Sequence, residues 1–178
     1  MKSPYAAGRV GGIVGEIHDN GNSSVTNSYN TGNVASYVDG SLLGGIAVNA
    51  SLESSITNCY ALNNSISAFS TGSSSSIGRI TVNGYSANDL LLNNFALNTM
   101  QKNGLFETED ANDGYDISFA EATDTSNIHY EANGWDFNNV WTFDYAGFNV
   151  TNTANLPILR AFTPEKSPNV VQGPRIDF

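Results

Sequence analysis

The side chains most able to do chemistry crowd into one stretch. Between Gly104 and Asp144 stand ten acids (Glu107, Glu109, Asp110, Asp113, Asp116, Glu121, Asp124, Glu131, Asp136 and Asp144) and no Lys or Arg. Calcium takes about six to eight oxygen ligands from carboxylates and carbonyls in a flexible loop. Glu107, Glu109, Asp110, Asp113 and Asp116 are therefore the candidate metal ligands, with Ca²⁺ the one cofactor they suggest. Their spacing lacks the turn glycine of the EF-hand loop, and the competing reading is a solvated acidic loop that aids solubility.

Other chemistry has less to work with. Carboxylate pairs for glycoside hydrolysis or lyase action must converge in a groove, usually beside a cation. Before the acidic stretch the acids Glu16, Asp19, Asp39, Glu53 and Asp89 fall at unrelated places, and Arg79 is the only basic residue between Arg9 and Lys102. His18 sits in a polar turn and His129 beside Tyr130, neither near a nucleophile motif such as G-x-S-x-G. Cys59 occupies a repeat slot shared with Ser28 and Asn94 and reads as outward-facing. No catalytic residue is assigned. Trp135, Trp141 and Tyr145 are candidate glycan contacts, because flat rings stack on sugar C–H faces; the competing reading is a packed apolar face.

Composition limits what positions these residues. The 178-residue chain has 17 acids against seven Lys and Arg, a net charge of −10, so it offers no basic surface for nucleic acid or anionic lipid. No apolar run is long enough to span a membrane, and no membrane insertion is expected of this segment. Polarity comes instead from 24 Asn, 20 Ser and 13 Thr. These residues and 17 Gly disfavour helix, while nine Phe, eight Tyr and two Trp supply a core that disorder would lack. The lone Cys59 excludes an intramolecular disulfide and leaves the compartment open.

Two signatures recur. Val10-Gly11-Gly12-Ile13-Val14-Gly15 returns as Leu43-Gly44-Gly45-Ile46-Ala47-Val48 and, worn, as Ile77-Gly78-Arg79-Ile80-Thr81-Val82. Val25-Thr26-Asn27-Ser28-Tyr29-Asn30 returns as Ile56-Thr57-Asn58-Cys59-Tyr60-Ala61 and as Leu91-Leu92-Asn93-Asn94-Phe95-Ala96. A period of about 33 residues is that of stacked supersecondary units. Alternation along the second signature predicts Val25, Asn27 and Tyr29 on one inward face, with Ile56, Asn58, Tyr60 and Leu91, Asn93, Phe95 in matched columns. Gly11, Gly12, Gly44 and Gly45 complete the structural repeat positions.

The pattern V-G-G-I-V-G followed by S-S-V-T-N-S-Y-N-T-G-N-V at 23–34 resembles the GLUG repeat of bacterial cell-surface proteins, including immunoglobulin A peptidase-like and adhesin-like chains. The resemblance covers roughly residues 8–100, and the third copy departs from it at Arg79 and Phe95. Gly134-Trp135-Asp136-Phe137-Asn138-Asn139-Val140-Trp141 resembles the segment that often closes such arrays. What this implies is an all-β, right-handed β-helix-like solenoid of about three coils with a C-terminal aromatic cap, on a secreted or surface-exposed protein. The implied role is a scaffold or adhesive surface whose partner is a host or bacterial surface protein or glycan; the alternative is a carbohydrate-binding or polysaccharide-degrading β-helix domain.

The expected organisation is repeats over 8–100, an acidic and aromatic cap over 101–162 and an extended Pro-containing tail over 163–178. Trp135/Phe137 and Trp141/Phe143/Tyr145 read as strands with one aromatic face, and residues 117–122 as a short helix or strand. MKSPYAAGRV has no apolar signal core, which for an exported protein implies a piece trimmed from a longer chain.

Overall fold

The computed structural model of the chain describes residues 8–17, 23–48, 54–69, 75–82, 91–103, 105–106, 113–126, 128–143 and 155–160. The protein is mostly strand with few helices. It divides into two compact units, Met1–Ile117 and Ser118–Phe178.

In the first unit the strands are short and come in rounds. Round one has β1 (Arg9–Gly11), β2 (Ser24–Thr26), β3 (Tyr29–Asn30) and β4 (Val34–Ser36). Round two has β5 (Leu42–Gly44), β6 (Ser55–Thr57), β7 (Tyr60–Ala61) and β8 (Ser65–Ala68). Round three has β9 (Ser76–Gly78), β10 (Leu91–Leu92), β11 (Phe95–Leu97) and β12 (Gln101–Asn103). A short fourth round adds β13 (Leu105–Phe106) and β14 (Tyr115–Ile117).

Corresponding strands of successive rounds pair in parallel, giving sheets ordered β1-β5-β9-β13, β2-β6-β10, β3-β7-β11-β14 and β4-β8-β12. The positions that the two signatures match are register partners: Gly11 with Gly44 and Gly44 with Gly78, Val25 with Ile56 and Ile56 with Leu91, Tyr29 with Tyr60 and Tyr60 with Phe95. Parallel stacking continues to Ile117, past the boundary expected at residue 100.

Two local constraints cut the strands so short. Asn27, Asn58 and Asn93 have φ of 46°, 56° and 53°, the left-handed region that Asn tolerates better than any other residue with a side chain except Asp. Each turns the chain at the same corner. Their side chains form a ladder, the Asn58 amide donating to Asn27 Oδ1 at 3.2 Å and the Asn93 amide to Asn58 Oδ1 at 3.3 Å.

This turn corrects the expected facing. Alternation does not run through the Asn but restarts after it, so Ile56 is followed on the buried side by Cys59 and Ala61. Cys59, expected outward, is fully buried, and so nearly is Asn94 in the same slot. The Asn30 amide donates to the Gly45 carbonyl at 3.0 Å, across the interior of the round. Tyr29, Tyr60, Phe95 and Tyr115 lie on the opposite side of their strands from Asn30 and Ala61, and in round two that side is covered as well, Tyr60 being fully buried as expected. Tyr60 and Phe95 stack at 5.1 Å and Phe95 and Tyr115 at 5.8 Å.

The second constraint is a tight corner after β1, β5 and β9. A methyl group on Gly11, Gly44 or Gly78 would lie 1.9, 1.7 or 1.6 Å from the carbonyl oxygen three residues on, at Val14, Ala47 or Thr81. No side chain fits there. Inside these corners the core is aliphatic, with Leu43, Ile46, Ile56, Ile66, Ile77 and Ile80 fully buried.

The second unit has another character. Ser118 caps α1 (Phe119–Ala122) in a capping box with Glu121, which decides residues 117–122 in favour of helix after β14 ends at Ile117. α2 (Ile128–Ala132) follows, then an antiparallel pair, β15 (Trp141–Thr142) and β16 (Ile158–Leu159). The expected strand at Trp135 and Phe137 is instead a turn, because the Asp136 carboxylate accepts from the backbone N–H of Asn138 and Asn139 at 2.9 Å each. The tail over 163–178 lies outside the described residues.

The corner makes a sharp prediction. Gly44→Ala is expected to cost at least about 3 kcal/mol in urea unfolding. Gly15→Ala, where the nearest atom to the new methyl is the Arg9 carbonyl oxygen at 3.6 Å, is expected to change stability by no more than about 0.5 kcal/mol. Equal losses at both positions would disprove the crowding argument.

Candidate functional site

Of the candidate calcium ligands, Glu107, Glu109 and Asp110 lie outside the described residues. Asp113 and Asp116 are placed, and they face protein cations. Arg79 donates its backbone N–H to Asp113 Oδ1 at 3.0 Å and Nε–H to Asp113 Oδ2 at 3.1 Å. Its two terminal nitrogens donate to Asp116 Oδ1 and to the Gly114 carbonyl. Lys102 Nζ adds a bond of 2.8 Å to Asp113 Oδ2. The side chains of Arg79 and Asp113 are only 12% and 14% exposed, so each charge depends on the other for what water would otherwise supply.

Asp113 thus holds two cations of the protein itself, which competes with any metal at the same oxygens. Among the described residues no group of three or more His, Cys, Asp or Glu side chains converges as a metal site.

The cluster also explains the worn third copy. Elsewhere the second glycine of the signature donates its N–H to the next round's backbone, Gly12 to the Gly44 carbonyl at 3.1 Å and Gly45 to the Gly78 carbonyl at 3.2 Å. At Arg79 a carboxylate takes that place. Among the described residues no strand of the fourth round pairs with β10, and Phe95 pairs with a residue only 20 further on where Tyr60 paired with one 35 further on. Gly114, with φ of 71°, makes the bend. The sequence carries a signal for this: an Arg at a glycine position with an acid 34 residues later, one repeat away.

The aromatic candidates pack on one another. Trp135 is 2% exposed and its ring lies 4.4 Å from that of Trp141; Tyr130, fully buried, meets Trp135 at 5.0 Å and donates its hydroxyl to the Ala122 carbonyl at 2.6 Å. Trp135 therefore has no open face for a sugar. Tyr145 lies outside the described residues. A ring pair not singled out by spacing is open instead: Tyr37 and Phe69 stack at 5.0 Å and are 77% and 52% exposed. They follow directly on the register partners Ser36 and Ala68, and that spacing was the signal available.

His18 lies outside the described residues. His129, on α2, is held below the ordinary imidazole range by burial, which the nearby Glu121 carboxylate only partly offsets. Glu121, Asp124 and Asp136 are held below the usual carboxylate range by hydrogen bonds, from Ser118, Ser126 and Asn139 respectively. Burial pushes the Cys59 thiol up to about 12, and Sγ rests against the Thr57 carbonyl at 3.3 Å. That is the environment of a packing residue, not of a nucleophile. Comparison of the chain with protein-family models, with curated proteins and with solved structures returned no match.

Two measurements follow. Cys59 is expected not to react with an aromatic disulfide reagent at pH 8 in the native protein and to react fully in urea; rapid native labelling would contradict its placement. Both tryptophans of the chain lie in the second unit, so their fluorescence reports its unfolding alone. A lowered imidazole pKa means the unfolded chain takes up the proton first, so stability is full above about pH 7 and falls as pH drops below 6.5. The lowered carboxylates add a second loss as pH falls below about 4 through their folded values. His129→Gln is expected to remove the upper step only; a single acid step in the unaltered protein would refute this.

Proposed function

We propose that the chain is a non-enzymatic repeat module of a secreted or surface-exposed bacterial protein, a right-handed β-helix-like solenoid of about three coils that serves as scaffold or adhesive surface. The register-matched columns carry this reading. Chain positions that an enzyme spends on converging groups go here to stacking: an Asn ladder at one corner, glycines at another and a column of stacked rings. The four sheets, visited in one order three times over, are the topology such a coil needs. The GLUG-like signatures support the cell-surface setting, and the aromatic C-terminal unit supports the capping role. The partner in this reading is a surface protein or glycan of host or bacterial origin.

One observation favours glycan over protein as partner: the exposed Tyr37–Phe69 stack gives flat apolar rings on a surface otherwise rich in Ser and Asn. A glycan array run with the unaltered protein and with Tyr37→Ala, Phe69→Ala and Trp135→Ala separates the roles. Tyr37→Ala and Phe69→Ala are expected to stay folded and lose at least about tenfold in any glycan affinity, equivalent to ~1.4 kcal/mol. Trp135→Ala is expected to destabilise the second unit by about 3–5 kcal/mol. Turnover of a polysaccharide or peptide by the purified protein would overturn the non-enzymatic reading.

A further inference from the structure

The two ends of the parallel stack differ in a way that follows from single residues. A methyl group on Gly12 would lie 2.2 Å from the Gly45 carbonyl oxygen, and one on Gly45 would lie 1.9 Å from the Arg79 carbonyl oxygen. Each round thus rests a carbonyl on the bare Cα of the round before it. Arg79 carries a Cβ at the equivalent place, where a following carbonyl has no room. Its N–H is already taken by the Asp113 carboxylate at 3.0 Å, and its guanidinium by Asp113 and Asp116.

At the other end no described strand pairs beyond round one. Val10, Val25 and Tyr29 of round one are part-exposed, whereas their register partners Leu43, Ile56 and Tyr60 are fully buried under the rounds on either side. That face repeats the aliphatic, Asn and ring columns that round two already uses to receive round three.

We infer that the stack takes a further full round at one end only: the round-one face docks one more round of the same repeat, running in the same direction and entering ahead of Gly8, while Arg79 with Asp113 lets only the short fourth round follow round three. The occupant is set by continuity with the round-to-round interface and must carry glycine at its second corner position, because the Gly12 carbonyl will rest there. A second copy stacked head to tail is not that occupant, since it would present the side that Arg79 with Asp113 limits to the short fourth round. The inference rests on the repeat-scaffold reading given above.

Three full-length variants test it by urea unfolding and light scattering. In the first, a duplicate of residues 8–41 is fused ahead of Gly8. In the second, a duplicate of residues 42–75 is inserted after Asn103, and the third adds Arg79→Gly to that insertion. The first is expected to unfold at higher urea in one repeat-unit transition, with an m-value larger by about a quarter. The second is expected to unfold at lower urea than the unaltered chain or to show a separate early transition, and the third to recover a single transition.

An unchanged or misfolded front fusion overturns the inference, as does an insertion that behaves alike with Arg79 and with glycine. If both ends accept a round with Arg79 in place, one-sidedness fails and the scaffold reading survives. If neither end accepts one even with Arg79→Gly, the repeat reading falls with it. Concentration-dependent dimers of the unaltered chain would make a second copy the occupant and overturn the assignment made here.

Discussion

The first unit depends on backbone approaching backbone with nothing between. At the corner after the first strand of each round, a carbonyl of the following round lies on the Cα of Gly12 and Gly45, closer than any side chain permits. That contact sets how rounds one, two and three stack, and the parallel registers of the other three sheets follow from it. It explains why the repeat is written in glycine there, with aliphatic residues two positions before. Burial of Leu43, Ile56 and Ile77 contributes most of the favourable free energy, but burial is non-directional. The bare corner supplies the direction.

The Asn ladder works with the glycine corner. Left-handed backbone costs a residue with a side chain roughly 1–2 kcal/mol, and three positions bear that cost. Asn offsets it, since the amides of Asn58 and Asn93 each bond the Asn of the preceding round. The left-handed residue also lets the chain change direction without losing a buried position, because Cys59 and Asn94 turn inward directly after it. Asn94 uses that position fully: its Oδ1 accepts from the Cys59 N–H at 3.0 Å and its amide donates to the Ile56 carbonyl at 2.7 Å.

Much of this was legible from residues alone. Period, partners and register could be read from Gly11, Asn27 and Tyr29 because stacking in parallel forces equivalent residues into contact. Facing was legible only in part beyond Asn27: Tyr60, expected inward, is buried, but so are Cys59 and Asn94, which alternation put outward. A period-two reading assumes an unbroken strand, and a single left-handed residue resets the phase without any change in residue type to announce it. The aromatic tail misled for a similar reason: Trp135 and Phe137 alternate like a strand, but the Asp136 carboxylate closes a turn between them, and side-chain capping outweighs alternation over so few residues. The acidic stretch could be located and its partners could not, since Arg79 reaches Asp113 across one repeat and Lys102 reaches it from 11 residues before, at the end of the preceding round.

The drift in spacing has a consequence of its own. Through the first three rounds, paired residues lie between 31 and 36 positions apart, yet no strand pair slips. Length is therefore free to vary between strands while the pairing register along the stack is kept. A protein built this way can acquire or lose residues at its connections in small steps without passing through a misregistered intermediate. Its connections can change in length while the paired rounds beneath them keep one register.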